Sequence, residues 1–301
     1  MYDVFGIGAI TVDLIGSSAY WPVSGEKVKL DEFDIFDGGL TGTALATVAR
    51  LGGKAGIAAK LGHSFWAVKA IDALEKDGVD TTGILRVDGC EPVISMVISN
   101  RRDLERNVFF SRKGVSYPMP EEIPDRDWFR HTRVLMIDHG SGRAGLEAAK
   151  LAVQHGVEVL IDAERVEPHL EETLALCSHI VVSRKFAQMY SGMNSAGKSL
   201  RYFRKFPAPH IIITLGEAGL IGMSLGREFT IPAHKVPVRD TTGCGDVFHG
   251  AYGLAIARGK KCPEAAAFAN AAAALAATEM GGRGGIPDRE KLDLFIRVNH
   301  I

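Results

Sequence analysis

The sequence contains no closely spaced cysteines and no marked excess of positive or negative charge. No two cysteines form a Cys-x-x-Cys pair, and the four lie far apart: Cys90, Cys177, Cys244 and Cys262. We therefore expect reduced thiols, with no zinc site or disulfide framework.

Lys and Arg number 35 against 36 for Asp and Glu, which gives a net charge of −1. This balance predicts no basic surface for nucleic acid or an anionic membrane.

Long apolar runs are also missing, since no stretch approaches the roughly 18 apolar residues that suggest a membrane span. The apolar segment Val4–Ile10 lacks a basic lead and meets Asp13 too early for a secretory signal. We therefore expect a cytoplasmic protein that acts on a small molecule. At 301 residues and 46% hydrophobic content, one α/β domain over residues 1–301 is the natural expectation.

Short apolar runs alternate with helical, Ala-rich stretches in the middle of the chain. Val134–Asp138 precedes the helical stretch Ala144–His155, and Val157–Asp162 precedes Glu171–Cys177. Such alternation predicts βαβ units and a mostly parallel sheet.

Two segments, at about residues 14–36 and 90–112, do not fit this scheme. Both alternate apolar and polar residues between Gly or Pro, and Arg101-Arg102-Asp103 has the character of a hairpin turn. Two interpretations stay open. The segments form either a small sheet that folds over the main domain as a lid, or two edge hairpins of the central sheet.

The segment Asp240–Ala251 carries the most chemistry. It reads Asp-Thr-Thr-Gly-Cys-Gly-Asp-Val-Phe-His-Gly-Ala and runs into an Ala-rich helix. The first N–H groups of such a helix are unpaired and bind anions, and Gly243 and Gly245 leave room for one. Asp246 in the first turn would repel a bound phosphate, but it suits a base that takes a proton from an attacking hydroxyl. A capped helix start without any function is the alternative.

This segment resembles the C-terminal signature of the ribokinase-like, or PfkB, carbohydrate kinases, Asp-Thr-x-Gly-Ala-Gly-Asp-x-Phe-x-Gly. Only Cys244 departs from it. The resemblance implies a three-layer α/β/α fold with a mostly parallel central sheet and a small β lid. It also implies ATP-dependent transfer to a hydroxyl, a primary CH2OH, of a sugar or anionic sugar derivative. Asp246 would be the general base, and the amides of Gly243, Cys244 and Gly245 the anion hole.

The resemblance extends to the acceptor and points to five residues. Gly6-x-Gly8-x3-Val12-Asp13 is similar to the first strand of the family, whose final aspartate holds sugar hydroxyls. Gly38-Gly39 resembles the N-terminal signature, in which the backbone approaches the sugar closely. Thr43 stands where many members have asparagine and still offers one hydroxyl. The implied acceptor residues are Asp13, Gly38, Gly39, Thr43 and His139.

On the nucleotide side, Thr214-Leu215-Gly216-x-x-Gly219 resembles a family turn, and Asn270 occupies a position that flanks adenine. ATP and Mg²⁺ are the implied cofactors. Where many members carry Asn-x-x-Glu, this chain has Ser183–Phe186. Mg·ATP must then depend on the phosphates, water and other carboxylates such as Asp162, Glu164 or Asp240. The implied nucleotide residues are Ser183, Lys185, Thr214, Gly216, Gly219 and Asn270. A K⁺ site is implied at the carbonyls of Asp240, Thr242, Ala276, Glu279 and Gly281.

The acceptor itself stays open. His249 and the stretch 281–288 look closest to the branch that contains sulfofructose kinases, which suggests an anionic ketose derivative. Five basic residues in or near the lid would suit an anion: Arg101, Arg102, Arg106, Arg112 and Lys113. Asp103 and Glu105 interleave with them, however, as on a solvated hairpin.

Two other functions remain as alternatives. One is a nucleoside kinase of the same family, and the other is a non-catalytic sugar or nucleotide sensor. Exposed lid strands also predict a homodimer formed through the lid.

Overall fold

The computed structural model describes residues 1–100, 106–125 and 127–299. The strands are β1 (Tyr2–Ile7), β2 (Thr11–Ser18), β3 (Glu32–Gly38), β4 (Ala55–Leu61), β5 (Asp80–Arg86), β6 (Val93–Asn100), β7 (Arg106–Ser111), β8 (Thr132–Asp138), β9 (Glu158–Ala163), β10 (His179–Ser183), β11 (His210–Thr214), β12 (Leu220–Ser224) and β13 (Arg227–Ile231). The α-helices are α1 (Leu40–Arg50), α2 (Phe65–Lys76), α3 (Gly142–Gln154), α4 (Leu170–Leu174), α5 (Arg184–Ser191), α6 (Ala196–Tyr202), α7 (Cys244–Ala257), α8 (Cys262–Ala276) and α9 (Arg289–Val298).

The central sheet has the strand order β13-β12-β11-β10-β9-β8-β1-β4-β5. All pairs from β5 across to β11 are parallel, and β12 and β13 continue as an antiparallel extension. Apolar side chains on its two faces form two separate buried clusters. One lies against α1, α2, α7, α8 and α9, and the other against α3 to α6. The predicted three-layer α/β/α fold with a mostly parallel sheet is therefore confirmed.

A second, smaller sheet has the order β3-β2-β6-β7. β2 pairs with β3 in antiparallel and with β6 in parallel register, and β6 pairs with β7 in antiparallel register. The interpretation as edge hairpins of the central sheet is wrong, because these four strands pair with one another instead. The expected turn at Arg101-Arg102-Asp103, with Glu105, lies outside the described residues, as does the side chain of Arg106.

One face of this lid sheet points toward the main domain. Asp13 of β2 pairs with Phe36 of β3 and with Ser95 of β6, and Ser95 pairs with Phe110 of β7. Paired residues share a face of a sheet. The Phe36 ring packs where a Cβ on Gly281 would lie. Asp13 therefore lies in a row of side chains that covers the carboxyl edge of the central sheet.

Helix α7 packs so closely against α1 that the contact depends on glycine. A Cβ added to Gly250 would overlap the carbonyl oxygen of Ala44, whereas one added to Gly253 would lie 3.3 Å from the flexible Cδ2 of Leu160. The backbone of α1 thus sets the position of α7. None of the helices within the described ranges contains an apolar stretch long enough to cross a membrane.

Gly250→Ala is expected to lower the free energy of unfolding by about 2 kcal/mol, because the new methyl group meets backbone that cannot yield. Gly253→Ala on the same helix is the matched control. Its methyl group meets only the side-chain ends of Leu160 and Val4, and alanine favours the helix, so the change should stay within about 1 kcal/mol. Urea unfolding followed by circular dichroism measures both, and equal losses would show that the α1 contact does not limit α7.

Candidate active site

The carboxyl ends of the parallel strands gather polar side chains at one edge of the central sheet. Asp138 ends β8 and pairs in register with Asp162 of β9, and Ser183 ends β10 beside Thr214, which ends β11. In open α/β sheets, ligands bind outside this edge. The first turn of α7 meets the same edge, because His249 of α7 bonds to the Val181 carbonyl of β10.

Asp246 lies in the first turn of α7. The helix begins after Gly243, whose φ of 75° favours glycine. The Asp246 side chain is partly exposed, and within the described part of the chain its carboxylate accepts no hydrogen bond. Burial raises the pKa of Asp246 well above its usual range, and four neighbouring carboxylates raise it further: Asp162, Glu164, Asp13 and Asp138.

One of the three amides predicted to form the anion hole already has a hydrogen-bond partner in the protein. The Cys244 N–H donates to the carbonyl of Thr241 at 3.3 Å, so this amide is engaged within the turn. The N–H groups of Gly245 and Asp246 follow it and have no partner within the helix. Burial raises the pKa of the Cys244 thiol to about 11, helped by Asp240 and Asp246. The thiol is therefore uncharged at neutral pH.

Asp138 accepts three hydrogen bonds that the sequence did not predict. Its carboxylate is buried and accepts from the amides of Ala9 and Gly140 and from the Thr41 hydroxyl, the last at 2.9 Å. These bonds join β8 to the start of α1 and to the segment after β1. Ala9 and Thr41 are 129 and 97 residues away in sequence, so no local pattern signals these two bonds.

The predicted acceptor residues Asp13, Gly38 and Gly39 come together at the root of the lid sheet. Asp13 accepts hydrogen bonds from the hydroxyls of Ser95 and Thr11. Burial raises the pKa of Asp13, although these hydroxyls oppose the shift. A Cβ on Gly38 would overlap the Asp13 carboxylate, and one on Gly39 would overlap backbone between β1 and β2. Both glycines are therefore required by close approach within the protein itself.

The other two predicted acceptor residues, Thr43 and His139, differ in exposure. Thr43 is fully buried, and its hydroxyl has no hydrogen-bond partner in the described chain. His139 follows Asp138 at the sheet edge and is partly exposed. Its Nδ1 accepts from the Glu164 amide at 3.3 Å, which leaves Nε2 for other contacts.

A cavity of about 490 Å³ lies between the β11–β12 turn, the start of α7 and helix α8. We call it the α7–α8 cavity. Four of the predicted nucleotide residues line it: Thr214, Gly216, Gly219 and Asn270. The other lining residues include Cys244, Gly245, Phe248 and alanines of α8. The Asn270 side chain is held by a 2.9 Å bond to the Pro232 carbonyl.

Ser183 and Lys185 are not among the residues that line this cavity. The Ser183 hydroxyl caps α5 by accepting from the Phe186 amide at 3.2 Å, and Lys185 is exposed. The sequence predicted them from their position at a strand end, and a helix cap has the same local pattern.

The two segments predicted to hold K⁺ are in direct contact. The Asp240 carboxylate accepts from the Thr242 amide and hydroxyl and from the Gly281 amide, at 2.7 to 2.9 Å. The Ala277 carbonyl accepts from the amides of Arg239 and Asp240. Residues 240–242 and 276–281, which carry the five predicted carbonyls, are thus joined beside the start of α7, with Ala276 as the last residue of α8.

Comparison with known proteins agrees with this geometry. The family described as pfkB family carbohydrate kinase matches residues 1–289. The ribokinase of Haemophilus influenzae is 26% identical over 298 residues, which covers 96% of this chain and 97% of the relative. The aminoimidazole riboside kinase of Salmonella typhimurium is 27% identical over 321 residues, which covers 100% and 97%.

Solved structures agree on the fold. A putative ribokinase from Agrobacterium tumefaciens superposes with a TM-score of 0.89 at 25% identity, over 99% of this chain and 98% of the other. The Arabidopsis thaliana ribokinase gives 0.88 at 21% identity, over 98% and 99%. The chain therefore belongs to the pfkB family of carbohydrate kinases. It is an ATP-dependent carbohydrate kinase, as the sequence predicted, and the narrower branch stays a prediction.

Proposed function

We propose that this kinase transfers the γ-phosphoryl group of ATP to a primary hydroxyl of a sugar or sugar derivative, with Asp246 as the general base. One observation carries the assignment. Asp246 is a partly exposed carboxylate without a hydrogen-bond partner in the described chain. It follows Cys244 and Gly245, which line the α7–α8 cavity, and Asp13 is near enough to raise its pKa. Because no protein group in the described chain occupies it, this carboxylate can accept a hydrogen bond from the hydroxyl of a bound acceptor.

In this mechanism the chain's own groups position and deprotonate the acceptor. Asp13 and the Gly38-Gly39 backbone bind the sugar hydroxyls. As the acceptor oxygen attacks the γ-phosphorus, Asp246 takes its proton, the bond to the bridging oxygen of ADP breaks, and sugar phosphate and ADP form. The amides of Gly245 and Asp246 donate to the transferring group, where charge develops.

The raised pKa makes Asp246 a stronger base than an ordinary aspartate. Its carboxylate must be ionised to accept the proton, so activity falls as the pH drops through that pKa. A bound nucleotide changes the charge around Asp246, and the direction of the pH dependence stays the same.

The α7–α8 cavity supports ATP as the donor. Alanines of α8 suit a flat purine ring, while the helix start suits phosphates. Among the described residues no group of three or more His, Cys, Asp or Glu side chains is placed to hold a metal. We propose that Mg²⁺ arrives on the ATP phosphates with most of its water, since the part of the chain that the structure describes offers no such group to hold it. The Arabidopsis thaliana ribokinase is solved with ribose and ATP, and a putative ribokinase II of E. coli with ATP and Mg²⁺.

A nucleoside acceptor is the second candidate, because the aminoimidazole riboside kinase is among the relatives that match over the whole chain. The anionic ketose suggested by the sulfofructose kinase branch has less support from the described basic residues. The Arg112 guanidinium already donates to the Gly140 carbonyl at 3.1 Å and lies 3.6 Å from the Glu167 carboxylate.

We further propose a cytoplasmic enzyme, since the four cysteines are free thiols.

Asp246→Asn is expected to lower kcat by at least about 10³-fold and leave acceptor and ATP binding largely intact, because the change removes the base and keeps the shape. Coupled ADP detection over a panel of sugars and nucleosides, with K⁺ or Na⁺, measures turnover, and calorimetry measures binding. A K⁺-dependent rate would support the site at residues 240–242 and 276–281.

An Asn variant that retains turnover would exclude Asp246 as the base. Thermal shifts with ligands but no ADP release from the wild-type protein would favour the sensor alternative.

Gly245→Ala separates a ligand requirement from a folding requirement. A Cβ at this position meets nothing within 4 Å, so the stability should not fall. The methyl group would project where we place the phosphates, and we expect kcat/KM for ATP to drop about 10²-fold. Gly197→Ala, which is equally open but lies on α6, should change neither quantity. An unaltered kcat/KM for Gly245→Ala would argue against phosphate binding at this turn.

The outer face of the lid sheet supports the predicted homodimer. Phe109 is 62% exposed and Met96 44%. They line an apolar groove with Trp21, Leu30 and Ile98, and contiguous apolar patches mark interaction sites. We propose that a second copy covers this groove.

Phe109→Lys should convert the dimer to monomers in sedimentation equilibrium, because a lysine would place a charge inside the buried patch. Val153→Lys is the control, since Val153 is also exposed but lies on α3. A wild-type monomer, or a Phe109→Lys dimer of unchanged affinity, would contradict the proposal.

A further inference from the structure

Arg283 lies in the loop between α8 and α9, and only 5% of it is exposed. Its Nη2 donates to the Gly38 carbonyl at 3.0 Å, and its Nη1 donates to the Asp77 carboxylate at 3.3 Å. Gly38 ends β3 of the lid sheet, and Asp77 follows the last residue of α2. The guanidinium therefore joins the root of the lid sheet to the main domain.

Asp77 and Arg50 hold this guanidinium in place. Arg50, the last residue of α1, donates from Nε to the Asp77 carboxylate at 2.9 Å and from Nη1 to the Arg283 carbonyl at 2.8 Å. An arginine stays protonated in proteins, and a buried cation requires a counter-charge. The Asp77 carboxylate provides it, so the side chain of Arg283 is fixed at its charged end.

The backbone beside Arg283 links this contact to the start of α7. Gly282 precedes Arg283, and a Cβ on Gly243 would lie only 2.5 Å from the Gly282 carbonyl oxygen. Gly243 directly precedes the first residue of α7. The side chain of Arg283 thus contacts the Gly38 backbone, while its chain neighbour packs against the turn that leads to Asp246.

The Gly38 carbonyl sets the direction of an amide of the proposed acceptor site. The peptide bond between Gly38 and Gly39 is trans, so its carbonyl and its N–H point in opposite directions. A guanidinium that fixes the Gly38 carbonyl therefore also fixes the direction of the Gly39 N–H. Glycine backbone is otherwise unusually free to rotate. Gly38 is buried and Gly39 is partly exposed, so a ligand can approach this peptide from the Gly39 side.

We propose that Arg283 is a positioning residue for the acceptor: its buried guanidinium holds the Gly38–Gly39 peptide in the orientation that binds the sugar hydroxyls. The inference rests on the proposed function, in which this peptide binds the acceptor and Asp246 is the base. Arg283 acts through the peptide and not by binding a substrate itself.

Gly42→Ala tests the proposal without removing the arginine. A Cβ on Gly42 of α1 would lie 2.8 Å from Nη2 of Arg283, and the next nearest atoms are 3.7 Å away. The methyl group should therefore displace the guanidinium from the Gly38 carbonyl and leave α1 intact, because alanine favours a helix. Steady-state kinetics would use the sugar of the panel above that gives the highest kcat/KM. KM for this sugar is expected to rise about tenfold, and KM for ATP should change less than about twofold.

Arg283→Lys should give the same division between the two KM values. Lysine keeps the charge but lacks the planar fork that donates to two groups at once, so it cannot hold both Gly38 and Asp77. In the double variant with Gly42→Ala, the methyl group has no guanidinium to displace, and KM for the sugar should not exceed that of Arg283→Lys alone. Loss of stability alone would lower the amount of active enzyme without changing KM, and two independent effects would multiply.

Arg133→Lys is the control. Arg133 also donates to a carboxylate, that of Asp3 at 3.3 Å, and to a helix carbonyl, that of Ala257 at 3.2 Å. It lies at the amino end of β8, whereas the proposed site lies at the carboxyl edge of the sheet. Its replacement should change neither KM. An equal rise of KM for the sugar in Arg133→Lys would contradict the proposal, because the effect would then not depend on the Gly38 contact.

Asp13→Asn, which changes a residue of the proposed acceptor site, separates this inference from the proposed function. A raised KM for the sugar in Asp13→Asn, with unchanged values in Gly42→Ala and Arg283→Lys, would overturn the role of Arg283 and keep the proposed function. An unchanged KM in all three variants would overturn the acceptor site itself. If Arg283→Lys does not fold, Gly42→Ala decides, since it retains the arginine and its charge.

Discussion

Close packing of α7 against α1 is the constraint on which the site depends. Gly250 brings the backbones together at Ala44, and this contact fixes where α7 begins relative to the sheet. The beginning of α7 carries both Asp246 and the unpaired amides. A helix start displaced by an ångström would separate the proposed base from the acceptor, because phosphoryl transfer relies on position and charge.

Charge crowding is the second consequence of this placement. Asp138 and Asp162 end neighbouring strands in register, and Asp246 meets them from the helix side. These three carboxylates differ in their hydrogen-bond and ion-pair partners. Asp138 accepts three hydrogen bonds, Asp162 pairs with His249, and Asp246 alone has no hydrogen-bond partner in the described chain. A carboxylate left free among satisfied ones is the arrangement expected of a proton acceptor.

The sequence predicted the features that depend on local patterns. The alternation of apolar runs and helical stretches indicates the parallel sheet, and the segment around Asp246 indicates a helix start that suits phosphate. The hydrogen bond between Thr41 and Asp138 was not predicted, because it joins residues 97 positions apart. His249 stood out only as a marker of one family branch, since its contacts with Val181 and Asp162 arise from tertiary packing. Ser183 shows the converse problem, because a strand end that caps a helix looks the same in sequence as one that meets a nucleotide.

The central claim is that one ionised carboxylate, Asp246, takes the acceptor proton during phosphoryl transfer. The most direct measurement is the single-turnover rate of transfer from γ-³²P-labelled ATP to a sugar that the wild-type enzyme accepts, followed by rapid quench across pH. The account predicts that this rate falls tenfold for each pH unit below one apparent pKa. A rate that stays constant down to the pH at which the protein unfolds would contradict it.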